Sequence, residues 1–203
     1  MSYGRELING RKGEAVSMAI FHEEETGYSD HWYVFWVKTG LEEKAAVEIK
    51  AAFNGAATPL QLTVETFFRK QGKVKKETHF AFPGYVFVAT EIENDEFVIR
   101  ARECVHKSKS VMKLLCYDNV NEAAVREEER VLIERIWQGK NCVETSTGFI
   151  EGDRIVVNEG PFIGRESIIK EIHLRRRQAI VEIEFMGEVR RITIGLEIIE
   201  KLP

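Results

Sequence analysis

Cysteine is scarce in this chain of 203 residues, long apolar runs are missing, and positive charge is not in surplus. Each deficit removes a class of function. Cys104, Cys116 and Cys142 stand far apart, without a CxxC or a neighbouring histidine cluster, so neither a disulfide framework nor a zinc site is expected. A reduced, cytoplasmic setting fits that usage. No apolar stretch approaches the ~20 residues needed to cross a bilayer, and the start lacks the basic-then-apolar order of a signal peptide. A net charge of −4 excludes a globally basic nucleic-acid binder and leaves only local basic faces to consider. His22, His31, His79, His106 and His173 are scattered, no Ser/His/Asp or Cys/His arrangement occurs, and the glycine-rich turns lack the strand-to-helix setting of a phosphate loop. An enzyme is not expected, and no cofactor or metal is called for.

With 44% hydrophobic and 31% charged residues the chain can bury a core, in one domain or two small ones. Residues 1–30 show no sustained period and read as a disordered extension. Arg11-Lys12-Gly13-Glu14 can be spelled with purine-rich codons, as a ribosome-binding site ahead of a true start at Met18 would be.

From His31 the pattern changes. Trp32 to Val37 reads as a buried strand. A helix follows, with Thr39 and Glu42 spaced as a capping box and Leu41, Ala45, Ile49 and Phe53 on one stripe. Leu60 to Phe68 reads as a strand, "RKQGKVKK" as a charged turn, and Glu77 to Phe82 as the antiparallel return. Tyr85 to Thr90 is another strand. Asn94 caps a second helix with Phe97, Val98, Ala101 and Val105 on one side, and a strand around Val111 to Tyr117 follows. A third helix near Arg126 carries Glu127 to Glu129 in its first turn and ends at Gly139. This order predicts an α+β fold, an antiparallel sheet with helices mainly on one face.

"GKNCVETSTG", residues 139–148, has almost no apolar anchor and reads as a linker. Beyond it lie short strand runs at Arg154 to Asn158, Ser167 to His173, Gln178 to Phe185 and Val189 to Ile194, with a last one near Ile198. Five short strands predict a small β-barrel.

"EGDRIVVNEGPFIGRESIIKEI" (Glu151 to Ile172) resembles a KOW motif, and "WYVFWVKTGLEE" with "FPGYVFV" resembles the two signature segments of an NGN domain. Together they resemble the NusG family of transcription elongation factors from about His31 onward. The resemblance implies an NGN α/β sandwich at 31–138, a linker at 139–148 and an SH3-like KOW barrel at 149–203. The tail "FMGEVRRITIGLEIIEK" and "TGLEE" look more like the specialised LoaP branch, antiterminators of selected operons whose KOW domain binds an RNA hairpin. The chain departs from the family at Leu62, Glu122 and Ala124, where prolines are common. It also departs at Glu188, which reverses the charge of a turn that housekeeping members use to hold Rho or a ribosomal protein. Glu188 therefore weighs against coupling to Rho or the ribosome, and a housekeeping factor with that coupling stands as the alternative reading.

The resemblance further implies that Phe82, with Tyr33 and Tyr85 as neighbours, binds the clamp helices of RNA polymerase. An aromatic beside a rigid Pro-Gly turn suits an interface anchor, although buried aromatics are as often plain core. Arg69, Lys70, Lys73, Lys75 and Lys76 form a basic hairpin, either a solvated turn or a contact to upstream or non-template DNA. In the barrel, Arg165, Lys170, His173, Arg175, Arg176, Arg177, Arg190 and Arg191 could form a basic face for the nascent RNA hairpin, with acids such as Glu182 and Glu184 on other strand faces. A solubilising surface is the plainer alternative. Phe185, Met186 and Glu188 mark a partner loop. A ribosome-associated KOW protein that binds rRNA would leave the first domain unexplained.

Overall fold

The computed structural model describes residues 31–117 and 122–202; the extension at 1–30 lies outside them. In chain order the first part comprises β1 (His31–Val37), α1 (Glu42–Ala52), β2 (Ala57–Leu60), β3 (Thr63–Lys70), β4 (Lys73–Phe80), β5 (Tyr85–Thr90), α2 (Asn94–Lys107), β6 (Val111–Leu114) and α3 (Glu127–Trp137). Then come β7 (Cys142–Val143), β8 (Ser146–Glu151), β9 (Arg154–Glu159), β10 (Ile169–His173), β11 (Gln178–Phe185) and β12 (Glu188–Leu202). Short 3-10 turns at Glu166–Ile168 and Leu174–Arg176 flank β10. The fold is α+β, as expected.

β1 lies inside a four-stranded antiparallel sheet of order β2-β5-β1-β6. Its apolar run is nearly continuous because both faces are covered. Tyr33, Phe35 and Val37 point to one core with Ala45, Ile49, Phe53, Phe97 and Ala101 from α1 and α2. Trp32 and Val34 point to the other, shared with Val64, Phe82, Phe87, Ile133, Ile136 and Trp137. Thus α3 packs on the face opposite α1 and α2, because its stripe Ile133, Ile136 and Trp137 belongs to the second core.

The charged hairpin is longer than its composition suggests. β3 and β4 stay paired as far as Lys70 and Lys73, and only Gln71 and Gly72 turn, at φ 52 and 77. Two positive φ values match the twist of a tight hairpin, so the strands run through the cations instead of stopping before them. The stretch 139–148 is likewise not a free linker. β7 pairs parallel to β3, Val143 is buried, and β8 already starts at Ser146. Trp137 anchors this crossing by donating its indole N–H to the Thr63 carbonyl at 3.1 Å.

The last five strands form a barrel-like sheet of order β10-β11-β12-β8-β9. β12 absorbs the two runs expected at Val189 to Ile194 and Ile198. Its first half is antiparallel to β11 and its second half parallel to β8. Phe162 is 1% exposed and plugs the interior, which settles why an aromatic sits between Gly160 and Gly164. Gly160 is at φ 100, and a side chain there would start 2.4 Å from Ser146 Oγ. Glu166 fixes the turn by accepting from the backbone N–H groups of Val157 at 3.1 Å and Gly164 at 3.3 Å. Burial works to raise its carboxyl pKa, but the backbone donors prevail and hold it below the ordinary value.

Candidate functional site

The turn Pro83-Gly84 sets the direction of Phe82. Gly84 is at φ 84 and donates its N–H to Glu42 Oε1 at 2.9 Å, while a β-carbon on it would come within 3.1 Å of Thr39 Oγ1. Glu42 is 5% exposed and is therefore the buttress of this turn rather than half of a capping box. From there Phe82 meets Phe87 at 5.1 Å, Trp137 at 5.9 Å and, across the junction, Phe185 of β11 at 4.9 Å between ring centres. Tyr85 also meets Phe185 edge-on at 5.7 Å. The Arg190 guanidinium lies over the Tyr85 ring at 5.1 Å and the Phe185 ring at 5.5 Å.

A polar rim surrounds these rings. Glu129, in the first turn of α3, accepts from Met186 N–H at 2.9 Å and Gly187 N–H at 3.1 Å, and from the Tyr117 hydroxyl. Burial, with the Glu129 carboxylate second, pushes the Tyr117 phenol pKa up. At the far end Gln178 Nε2 donates to the Phe67 carbonyl at 2.9 Å. Between them Gly195 brings β12 so near β3 that a β-carbon would sit 2.9 Å from the Glu65 carbonyl oxygen. An aromatic centre with a hydrogen-bonded rim has the anatomy of a protein interface, here formed within one chain.

Tyr33 has no part in it. The ring is wholly buried, stacks on Phe97 at 3.6 Å, and donates its hydroxyl to the Ile92 carbonyl at 2.9 Å. Tyr33 follows Trp32 by one residue, so the strand's period of two puts it on the opposite face from the Phe82 cluster. Burial, with Glu93 and Asp95 adding to it, pushes its phenol pKa up. Tyr33→Phe should lower the unfolding free energy by about 1 kcal/mol, the net worth of one hydrogen bond. Urea titration checks this, and an unchanged midpoint would show that the hydroxyl contributes nothing.

The basic residues fall into three sets. On the hairpin, Arg69, Lys70, Lys73, Lys75 and Lys76 are all exposed, and Lys76 pairs with Glu65 at 2.9 Å. In the barrel most candidates are engaged internally. Arg165 donates to the carbonyls of Pro161 and Ile163, Lys170 to that of Ser167, and His173 lies 3.9 Å from Glu171. Arg191 pairs with Glu171 and Glu182, so the acids share its face, contrary to the expectation from sequence. Arg190 pairs with Glu188 and belongs to the junction, where its Nε is buried without a hydrogen-bond partner among the described residues. Arg177 pairs with Glu197 at 3.1 Å. Arg175 and Arg176 are exposed and form no ion pair among the described residues. Among those residues no group of three His, Cys, Asp or Glu side chains is placed to hold a metal ion, and no helix is long and apolar enough to cross a membrane.

A family model described as transcription termination factor nusG matches residues 30–134, just over half of the chain. The chain belongs to the NusG family. Among curated NusG proteins, described as transcription termination/antitermination proteins, that of Xylella fastidiosa (strain Temecula1) is 23% identical over 84% of this chain and 98% of its own length. That of Haemophilus influenzae is also 23% identical, over 89% of this chain and 98% of its own. A structure concerning domain interaction in Thermotoga maritima NusG is 24% identical, covers 81% of this chain and 93% of its own, and aligns with a TM-score of 0.44, too low to bear on domain placement. These NusG relatives are transcription factors and not enzymes.

No motif of this NusG-family chain marks Glu42, Glu129 or Gln178 for these bonds. Each is a single polar side chain that reaches a backbone group 42, 57 or 111 residues away, and no local spacing announces such a bond. Glu129 carried a weak signal as one of three acids opening α3, where any would serve the helix dipole.

Proposed function

We propose that this chain is a transcription elongation factor that binds RNA polymerase through the face bearing Phe82 and Tyr85 and favours antitermination of particular operons. The proposal divides it into an NGN domain at 31–138 and a KOW domain at 149–203. The observation that carries it is the covered aromatic patch: Phe82 stands on a buttressed Pro-Gly turn and is 5% exposed, packed between Phe87 and Trp137 of its own part and Phe185 of the barrel. Such an anchor buries much apolar area with little side-chain entropy to lose, as an interface hot spot requires.

Polymerase docking and KOW docking then compete for one surface. When the KOW domain leaves, Phe82 engages the clamp helices and biases polymerase against paused states, so binding energy shifts populations and no bond is made. Arg175 and Arg176 of the barrel turn contact RNA, in keeping with the LoaP-like tail. The basic hairpin of β3 and β4 faces phosphate, without reading bases.

Phe82→Ala in the full chain should weaken capture of RNA polymerase by about tenfold or more, within the range of interface anchors. The same change loosens the KOW contact, which by itself would favour capture, so a decrease speaks for direct contact. Unchanged or stronger capture by a variant with a parental circular-dichroism spectrum would count against the assignment.

A further inference from the structure

The hairpin cations and the barrel-turn arginines, separate in sequence, meet across the junction. Phe67, Phe68 and Arg69 on one side and Arg175, Arg176 and Arg177 on the other line a cleft of about 390 Å³. The bond from Gln178 Nε2 to the Phe67 carbonyl joins the two walls, and Arg177 lies 5.9 Å from the Phe67 ring centre. No carboxylate is among the lining residues. Arg69, Arg175 and Arg176 are exposed, Phe67 and Phe68 are half-buried, and Arg177 is already paired with Glu197. Exposed guanidinium groups beside half-buried phenyl rings, one of which already attracts Lys76 and Arg177, in a space the size of a small-ligand site, match alternating phosphates and bases. An acidic peptide would satisfy the cations but leave the rings unused.

We propose that this junction cleft binds single-stranded nucleic acid, with phosphates on Arg69, Arg175 and Arg176 and a base against Phe67 or Phe68. It rests on the reading of these arginines as nucleic-acid contacts and adds that the site is complete only while the two parts of the chain touch. A bound strand then stabilises the closed arrangement and opposes exposure of Phe82.

The test is fluorescence anisotropy of the full chain with a labelled ten-nucleotide single-stranded RNA of mixed sequence and with its DNA counterpart. The variants are Arg69→Ala, the double change Arg175→Ala with Arg176→Ala, and Glu129→Ala, which loosens the junction from outside the cleft. Each should weaken binding about fivefold or more, since each removes a charge-assisted contact or the carboxylate that keeps the cleft closed. The salt dependence should flatten by about 0.7 in log-log slope per phosphate contact removed. Preference for RNA or for DNA identifies the source of the strand and supports the cleft either way. Loss with the Arg175 and Arg176 change alone, with Arg69→Ala and Glu129→Ala matching the parent, overturns the cleft and leaves RNA contact by the barrel turn standing. Absence of binding by the parent overturns both. Displacement of the strand by polyglutamate as readily as by unlabelled strand would assign the cleft to acidic peptides and overturn it too.

Discussion

Glu129→Ala should open the junction and raise the apparent affinity for RNA polymerase about tenfold or more. Among the described residues Glu129 is the one side chain that holds both Met186 and Gly187 by their backbone N–H groups, and it holds the Tyr117 hydroxyl as well. A hydrogen bond to a charged group contributes about 1.5–3 kcal/mol. Taking the low end because Glu129 is partly exposed, losing the two bonds that cross the junction moves the closing equilibrium by about 3 kcal/mol, roughly a hundredfold. On the proposed reading only an open form presents Phe82, so the gain in apparent affinity is capped by how rare that form is in the parent. Small-angle scattering should show a larger radius of gyration alongside the tighter polymerase titration. Glu127→Ala and Glu128→Ala are the controls: they remove the same helix-terminal charge but reach neither Met186 nor Gly187. Equal opening by the controls would assign the effect to the helix dipole, and a parental radius with parental affinity for Glu129→Ala would refute the latch.

Phe97→Ala should cost about 3–5 kcal/mol of global stability while leaving the junction closed. The ring is 0% exposed, stacked on Tyr33 at 3.6 Å and on Phe53 at 4.6 Å, with Phe35 at 5.9 Å. Few neighbours can move into the space it leaves, because β1 and both helices are fixed by their own pairing and packing. The cost is a large share of the ~5–15 kcal/mol typical of a domain. It falls on the opposite face of the sheet from Phe82, so scattering at low urea should match the parent while the urea midpoint drops. A loss below about 1.5 kcal/mol would mean that this core relaxes around the cavity.

What the sequence made legible was local. β1, β5 and the apolar faces of α1, α2 and α3 follow from runs and periods a few residues long, whereas Phe82 was singled out as an anchor through the family resemblance of its segment. What escaped depended on which faces meet. Period two groups Tyr33 with Phe35 and Val37 but does not say which side of the sheet a partner covers. The internal pairing of Arg191 required the register that sets it opposite Glu182 and near Glu171. The charged hairpin was misjudged because composition was taken as turn chemistry, whereas Gln71 and Gly72 alone supply the left-handed backbone. β7 went unseen because a two-residue strand has no period to detect.

On the proposed reading, that short strand limits how far an opened form can differ from the closed one. Only Glu144 and Thr145 separate Val143 of β7 from Ser146 of β8, so with β7 seated the barrel hangs on a leash of about 10 Å. Unzipping β7 from β3 frees the chain back to Gln138 and lengthens the leash to about 28 Å. In either case the barrel meets its own docking face at an effective concentration on the order of millimolar, which dilution of the protein does not change. A competitor for Phe82 must match that tethered concentration, not the abundance of the chain in solution. The Thr63–Cys142 and Val64–Val143 pairings therefore set how far a released barrel can reach, while the tether itself sets the threshold for competition.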